Sequence, residues 1–273
     1  MECEPGHRPS REQVIRESVR MLGVSSGVSG RHGFPPRTHE RLLQFRLQAR
    51  PDVRAWLVAC DRPASQSSVD VLTAAERARS ERFARAADRS AFVVTRVTLR
   101  HLLAGELGLE PRAIRLVEPE HGKPRLCASH PGADIDFSVS HTDGLSVVAL
   151  ARGTLVGADI ERCRAVADKV EIARDMFGDD AARAIAALPP PGQDDAFLRL
   201  WTAGEAYVKA TGAGLALRRG PIPICLDRDG ARVAFRRDVA ARDACRLDFI
   251  DAPAGYVCCL ATIERDRMPS AAR

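Results

Sequence analysis

Three short apolar segments, residues 135–140, 146–151 and 156–161, follow one another with only the turn pairs Asp143-Gly144 and Arg152-Gly153 to separate them. That spacing leaves no room for an intervening helix, and both pairs carry tight-turn chemistry. An antiparallel meander at the centre of the chain is the expectation. On either side the apolar period changes. Residues 53–60, VRAWLVAC, read as a buried strand, and a further short strand is expected at 114–117. Residues 73–107 read as two helices. The first opens on a capping box, Thr73 with Glu76 three positions later, and the second runs through 92–103 on three- and four-residue apolar spacing.

Beyond the meander, two or three helices are expected between 166 and 211, broken at Pro189-Pro190-Pro191-Gly192. Strands return at 222–226, 233–236, 246–250 and 256–263. The order of strand, helices, strands, helices, strands predicts an α+β chain with two halves of similar size. Residues 1–50 lack sustained periodicity and include a Gly/Ser stretch at 23–30. They read as a flexible extension, with one short helix at 11–22.

Composition narrows the classes. No apolar run approaches the roughly 20 residues that span a bilayer, and the first residues mix both charge signs without an apolar signal core. A cytoplasmic protein with no membrane contact is expected. The 8 cysteines form no C-x-x-C pair and sit mostly in apolar runs, against a zinc site or disulfide framework. A net charge of +5 suits nucleic acid, a phosphate-rich ligand or an acidic protein. Aromatic residues at 5% leave little for base stacking, so nucleic acid is the weaker partner class.

Four stretches carry chemistry. In Gly157-Ala-Asp-Ile-Glu161, Asp159 and Glu161 share one face of a strand. Adjacent carboxylates repel unless a cation or proton lies between them, and hard oxygen ligands suit magnesium, although a solvated strand edge has the same composition. In Leu200-Trp-Thr-Ala-Gly-Glu-Ala-Tyr-Val-Lys209, Trp201, Glu205 and Lys209 recur every four residues along one helix face. Glu205 can add an oxygen ligand or accept a proton, and Lys209 can meet a phosphate; a surface Glu–Lys pair with a packing tryptophan is the plainer reading. Gly122-Lys123-Pro124 puts a lysine on a stiff turn. Ser140 and His141 end a strand just before a turn, where hydroxyl, imidazole and backbone amides can gather round an anion.

In order and spacing these stretches resemble the 4′-phosphopantetheinyl transferase superfamily, in its longer single-chain branch of the surfactin-synthetase-activator type. The G-x-D-[IV]-E run at 157–161 and the W-[ST]-x-x-E-[AS]-x-x-K run at 201–209 carry the resemblance, which spans roughly 53–263. It implies two similar α/β halves in a pseudo-twofold arrangement with the active site between them and a break near Gly153. The expected division is an extension (1–50), two halves (51–153 and 154–265) and a tail (266–273). The implied reaction moves the phosphopantetheine arm of coenzyme A to a serine of an acyl or peptidyl carrier protein, a small acidic helical domain, with Mg2+ bound; a monomer is implied. Asp159, Glu161 and Glu205 match the metal-holding carboxylates. Lys209 matches the lysine on the pyrophosphate, and it and Glu205 are the catalytic candidates. Lys123, Ser140 and His141 match residues around the coenzyme's adenosine and phosphates, and Arg79 and Arg89 match basic positions that meet its 3′-phosphate. One departure is Gly204, where the family commonly carries lysine or arginine. It motivates the alternative of an impaired relative that binds carriers without modifying them; a magnesium-dependent hydrolase of coenzyme A is the other alternative.

Overall fold

A computed structural model describes residues 42–47, 50–61, 63–64, 69–119, 122–131, 134–212, 214, 220–227, 230, 232–236 and 244–265. The helix expected at 11–22 and the tail at 266–273 lie outside them. In chain order the elements are β1 (Leu42–Leu47), β2 (Arg50–Ala59), α1 (Ala74–Glu81), α2 (Ala86–Leu107), a 3-10 turn (Pro111–Ala113), β3 (Leu116–Val117) and β4 (Arg125–Leu126). β5 (Ile135–Thr142), β6 (Leu145–Arg152), β7 (Thr154–Arg162), α3 (Lys169–Phe177), α4 (Asp179–Ala186) and α5 (Pro190–Thr211) follow. β8 (Ile224–Leu226), β9 (Val233–Phe235), β10 (Cys245–Ile250) and β11 (Tyr256–Glu264) complete an α+β fold.

Local chemistry sets several boundaries. The capping box forms: the Glu76 amide donates to Thr73 Oγ1 at 3.2 Å and the Thr73 amide donates to Glu76 Oε2 at 2.8 Å. Glu76 also receives the buried Arg100 of α2, whose Nη1 donates to the carbonyls of Pro111 and Ile114, each at 2.9 Å. All of that guanidinium is thus committed inside the fold, so part of the arginine excess is structural rather than a surface for polyanions. The proline stretch is only partly a break. Pro190 and Pro191 stand in the first turn of α5, where a missing N–H has no intrahelical partner to lose. The strand expected at 114–117 shortens to Leu116–Val117, because the Arg115 amide donates to the His130 side chain instead.

Two expectations change. β1 pairs antiparallel with β2, from Leu42 opposite Val58 to Arg46 opposite Arg54. The sheet therefore begins inside the stretch read as an extension. A short edge strand held by backbone pairing leaves little periodic signal. The second change is topological. The four-stranded sheet has the order β1-β2-β6-β5, and β7 belongs to a separate sheet, β10-β11-β7. A three-strand meander is impossible there because β6 already spends both edges on β2 and β5.

The inner faces of the two sheets share one core, with Val53, Ala55, Leu57, Val147 and Ala149 from the first against Val156, Ala158, Ile160 and Leu260 from the second. Helix α2 covers the outer face of the first sheet and α3–α5 that of the second, so the layers run helix, sheet, sheet, helix. The edge strand β5 also runs beside β7, joined by side chains rather than a backbone ladder. Alternate residues of β5 reach across. Asp136 Oδ2 accepts from the Val156 amide at 2.8 Å, Ser138 Oγ from the Ala158 amide at 3.0 Å, and Thr142 Oγ1 from the Arg162 amide at 3.2 Å.

Candidate active site

β7 alternates between two environments. Val156, Ala158 and Ile160 enter the inter-sheet core, and the odd-numbered residues face α5. Four residues of helix and two of strand advance by nearly the same length, about 6 Å and about 6.6 Å, so a helix laid along a strand can match it position for position. Here α5 runs antiparallel to β7. Gly157 lies under Ala206 and Ala210, Asp159 meets Lys209, and Glu161 lies near Trp201. A Cβ on Gly157 would collide with the Ala206 carbonyl and come within 2.5 Å of the Ala210 amide nitrogen. This glycine therefore sets the depth at which α5 sits. Trp201 also stacks on Phe197 with ring centroids 6.0 Å apart.

The arrangement gathers Asp159, Glu161, Glu205 and Lys209. Asp159 is 4% exposed. Its Oδ1 accepts from Lys209 Nζ at 2.7 Å and from Ser140 Oγ at 2.7 Å, and its Oδ2 is buried with no hydrogen-bond partner. Lys209 Nζ also donates to Ser140 Oγ at 2.9 Å and to the Ala158 carbonyl at 3.2 Å. Burial pushes the Glu205 carboxyl up to about 7; Lys209 opposes the shift, and Asp159 and Glu161 add to it. Glu161 is raised for the same first reason, burial, and then by Asp159. His141 is held below the usual imidazole range by desolvation and by the Lys209 ammonium.

Among the described residues no three His, Cys, Asp or Glu side chains already form a metal cage. The donor set nevertheless fits a hard divalent cation. The oxygens are carboxylates, one is buried and unpartnered, and their mutual repulsion is what a cation would relieve. One or two of them, with phosphate oxygens and water, make a magnesium-type shell.

A cavity of about 310 Å3 adjoins these groups, lined among others by Gly122, Lys123, Ser138, Glu205, Val208 and Lys209. Lys123 is at its wall, but its buried ammonium is already bound to Asp136 Oδ2 at 2.5 Å and to the Val156 carbonyl at 2.7 Å. Desolvation lowers its pKa against the pull of Asp136. Arg79 and Arg89 do not line this cavity. Arg79 pairs with Glu118 and lies over the Phe92 ring, and Arg89 donates to the Phe83 carbonyl at 3.3 Å. Asp88, next to Arg89, works against the lowering of the His141 pKa.

Gly204 has a steric explanation. A Cβ there would come 2.6 Å from Phe177 Cε1, 2.7 Å from Cζ and 3.4 Å from Ile222 Cδ1. The ring of Phe177, 2% exposed, occupies the space a side chain at 204 would need. Motif reading alone missed Phe177 and Asp136. The alternation Asp136, Ser138, Ser140, Thr142 in an otherwise apolar strand is the signal that marks a polar seam.

Comparison with known proteins gives two family matches that meet near Gly153. Residues 155–261 match the family model described as 4′-phosphopantetheinyl transferase superfamily, and 60–152 the one described as 4′-phosphopantetheinyl transferase, N-terminal. Among similar proteins, 4′-phosphopantetheinyl transferase HetI of Nostoc sp. is 32% identical over 167 residues, 60% of this chain and 70% of that protein. The transferase Sfp of Bacillus subtilis is 28% identical over 182 residues, 65% and 79% of the two chains. The human L-aminoadipate-semialdehyde dehydrogenase-phosphopantetheinyl transferase is 29% identical over 148 residues, 51% and 48%.

Proposed function

The chain belongs to the 4′-phosphopantetheinyl transferase superfamily, and on that premise we propose that it transfers the phosphopantetheine group of coenzyme A to a serine of a carrier protein, releasing 3′,5′-ADP. The observation that carries this reading to specific residues is the antiparallel stack of β7 and α5, which unites three carboxylates and a lysine beside one cavity.

Asp159, Glu161 and Glu205 are the proposed holders of Mg2+, which when bound neutralises charge on the coenzyme's pyrophosphate. The serine oxygen forms a bond to the phosphorus that carries pantetheine, and the bond from that phosphorus to the bridging oxygen breaks. Glu205, directly or through water, accepts the serine proton. Lys209 places positive charge beside the phosphates as negative charge shifts to the leaving group. His141 of β5, with Arg79 and Arg89 from α1 and α2, is assigned to the adenosine and 3′-phosphate end. We divide the chain into halves at Gly153, read it as a monomer, and place the reaction in the cytoplasm. An acidic helical carrier would be drawn to the basic chain electrostatically, so its association should slow with added salt. The alternative of an impaired relative rested on Gly204, and the Phe177 ring compensates that substitution sterically.

Intact-protein mass spectrometry of an apo carrier after incubation with this protein, coenzyme A and magnesium tests the proposal. A gain of one phosphopantetheine unit, lost with EDTA and in Glu161→Ala and Glu205→Ala, is expected. No gain on fatty-acid, polyketide or peptide carriers, from folded protein that binds coenzyme A, would overturn it.

A further inference from the structure

We infer that Asp136 is a positioning residue for the coenzyme: it acts through Lys123, holding that ammonium at the cavity wall with one N–H left for a coenzyme oxygen. The inference rests on the reading of the cavity as the coenzyme's site. It adds to the motifs a residue that none of them contains.

A lysine ammonium has three N–H donors. In Lys123 one goes to Asp136 Oδ2 at 2.5 Å and one to the Val156 carbonyl at 2.7 Å. The third has no acceptor among the described residues, and the side chain lines the cavity. Val156 closes the arrangement, because its amide donates to the same Asp136 Oδ2 at 2.8 Å. Carboxylate, ammonium and one residue of β7 therefore hold one another in place. The turn that carries Lys123 is steadied from its other side by the end of α5, where a Cβ on Gly122 would stand 3.4 Å from the Gly212 carbonyl oxygen. With two donors fixed, the direction of the third is fixed as well.

The seam itself does not require a carboxylate at 136. Ser138 and Thr142 accept the Ala158 and Arg162 amides with a hydroxyl alone. The charge is therefore surplus to the backbone contact and answers to Lys123. Stability does not explain it either, since a buried ion pair gains little over well-packed apolar groups. What the charge alters is the ammonium. Burial pushes the Lys123 proton off, Asp136 holds it on by charge and by hydrogen bond, and the Arg265 guanidinium adds to the push. Without the carboxylate the buried lysine would favour its neutral form, and the coenzyme would meet an amine in place of a cation.

Calorimetric titration of the full chain with coenzyme A, at fixed Mg2+, decides the matter in a cycle of Asp136→Asn, Lys123→Met and the double variant. Asp136→Asn removes the charge and keeps an acceptor for the Val156 amide. It should weaken coenzyme A binding about tenfold, the measure of one charge-assisted hydrogen bond, and should add nothing in the Lys123→Met background. Mn2+ affinity, followed by electron paramagnetic resonance without coenzyme A, should not change in Asp136→Asn, whereas a general loosening of the seam would lower both affinities. If Lys123→Met weakens coenzyme A binding while Asp136→Asn leaves it unchanged or tightens it, the inference falls and the coenzyme site stands. Losses that add across the two variants, or a parallel loss of Mn2+ affinity, would also overturn the inference. Unchanged affinity in Lys123→Met would overturn the site reading itself. Should Asp136→Asn not fold, Asp136→Ser gives the same comparison, since a hydroxyl there can accept the Val156 amide as Ser138 accepts that of Ala158.

Discussion

The ring of Phe177 lies against the bare Cα of Gly204, so close that a Cβ on the glycine would stand 2.6 Å from Cε1. Helix α3 thereby locks onto α5 one residue before Glu205. The contact joins a position that departs from the family pattern to one that the motifs do not mention.

Gly204→Ala therefore does not behave as an ordinary helix glycine. Alanine gains about 1 kcal/mol of helix preference, but overpacking a filled core costs about 1–3 kcal/mol. A net loss of about 1 kcal/mol is expected in urea denaturation, and Phe177→Leu should recover part of it. Gly204→Lys should be worse, because it drives an ammonium into the same space.

Gly157→Ala is expected to cost more, about 3 kcal/mol or above. Its Cβ would meet helix backbone that no rotamer change can move away. Circular dichroism melting should show a large drop in Tm, with carrier modification falling as α5 lifts from β7.

Lys123 tests the seam. Its ammonium and the Asp136 carboxylate are each about nine-tenths buried, with side chains 11% exposed. Lys123→Met leaves the carboxylate without its cation, at a cost of about 3 kcal/mol. Adding Asp136→Asn should restore much of this, since a neutral amide oxygen can still accept the Val156 amide. Urea midpoints of the two variants check both statements.

Glu205 predicts a pH dependence for the cation-free protein. Its carboxyl is raised from 4.5 to about 7, so the folded state holds the proton more tightly than the unfolded chain. The stabilisation is complete below pH 4.5 and is lost as pH rises through about 7. In EDTA the Tm should fall by a few degrees across this window. Glu205→Gln should flatten the profile. Mg2+ should flatten it too, since a bound cation favours the ionised form. A cation-free profile as flat as that of the Gln variant would contradict the raised value.

Much of the local structure was legible in the sequence because its causes are local. Thr73 and Glu76 form their box within one turn. The period of two puts Asp159 and Glu161 on one face of β7, and the spacing of four puts Trp201, Glu205 and Lys209 on one face of α5. Each rests on geometry that repeats over a few residues. The edge strand β1 was not legible, since its place depends on backbone pairing with β2.

What the sequence determined by itself was the set of elements and the two faces that carry the chemistry. Which strands pair was decided in three dimensions: a short turn at Gly153 permits a hairpin, but β6 has both edges occupied and β7 must join β11. Tertiary packing also brought Ser140 to Asp159, Asp136 to Lys123 and Phe177 to Gly204. Each pair forms because two separately folded surfaces meet at a distance fixed by layer packing, and no short-range period encodes that distance.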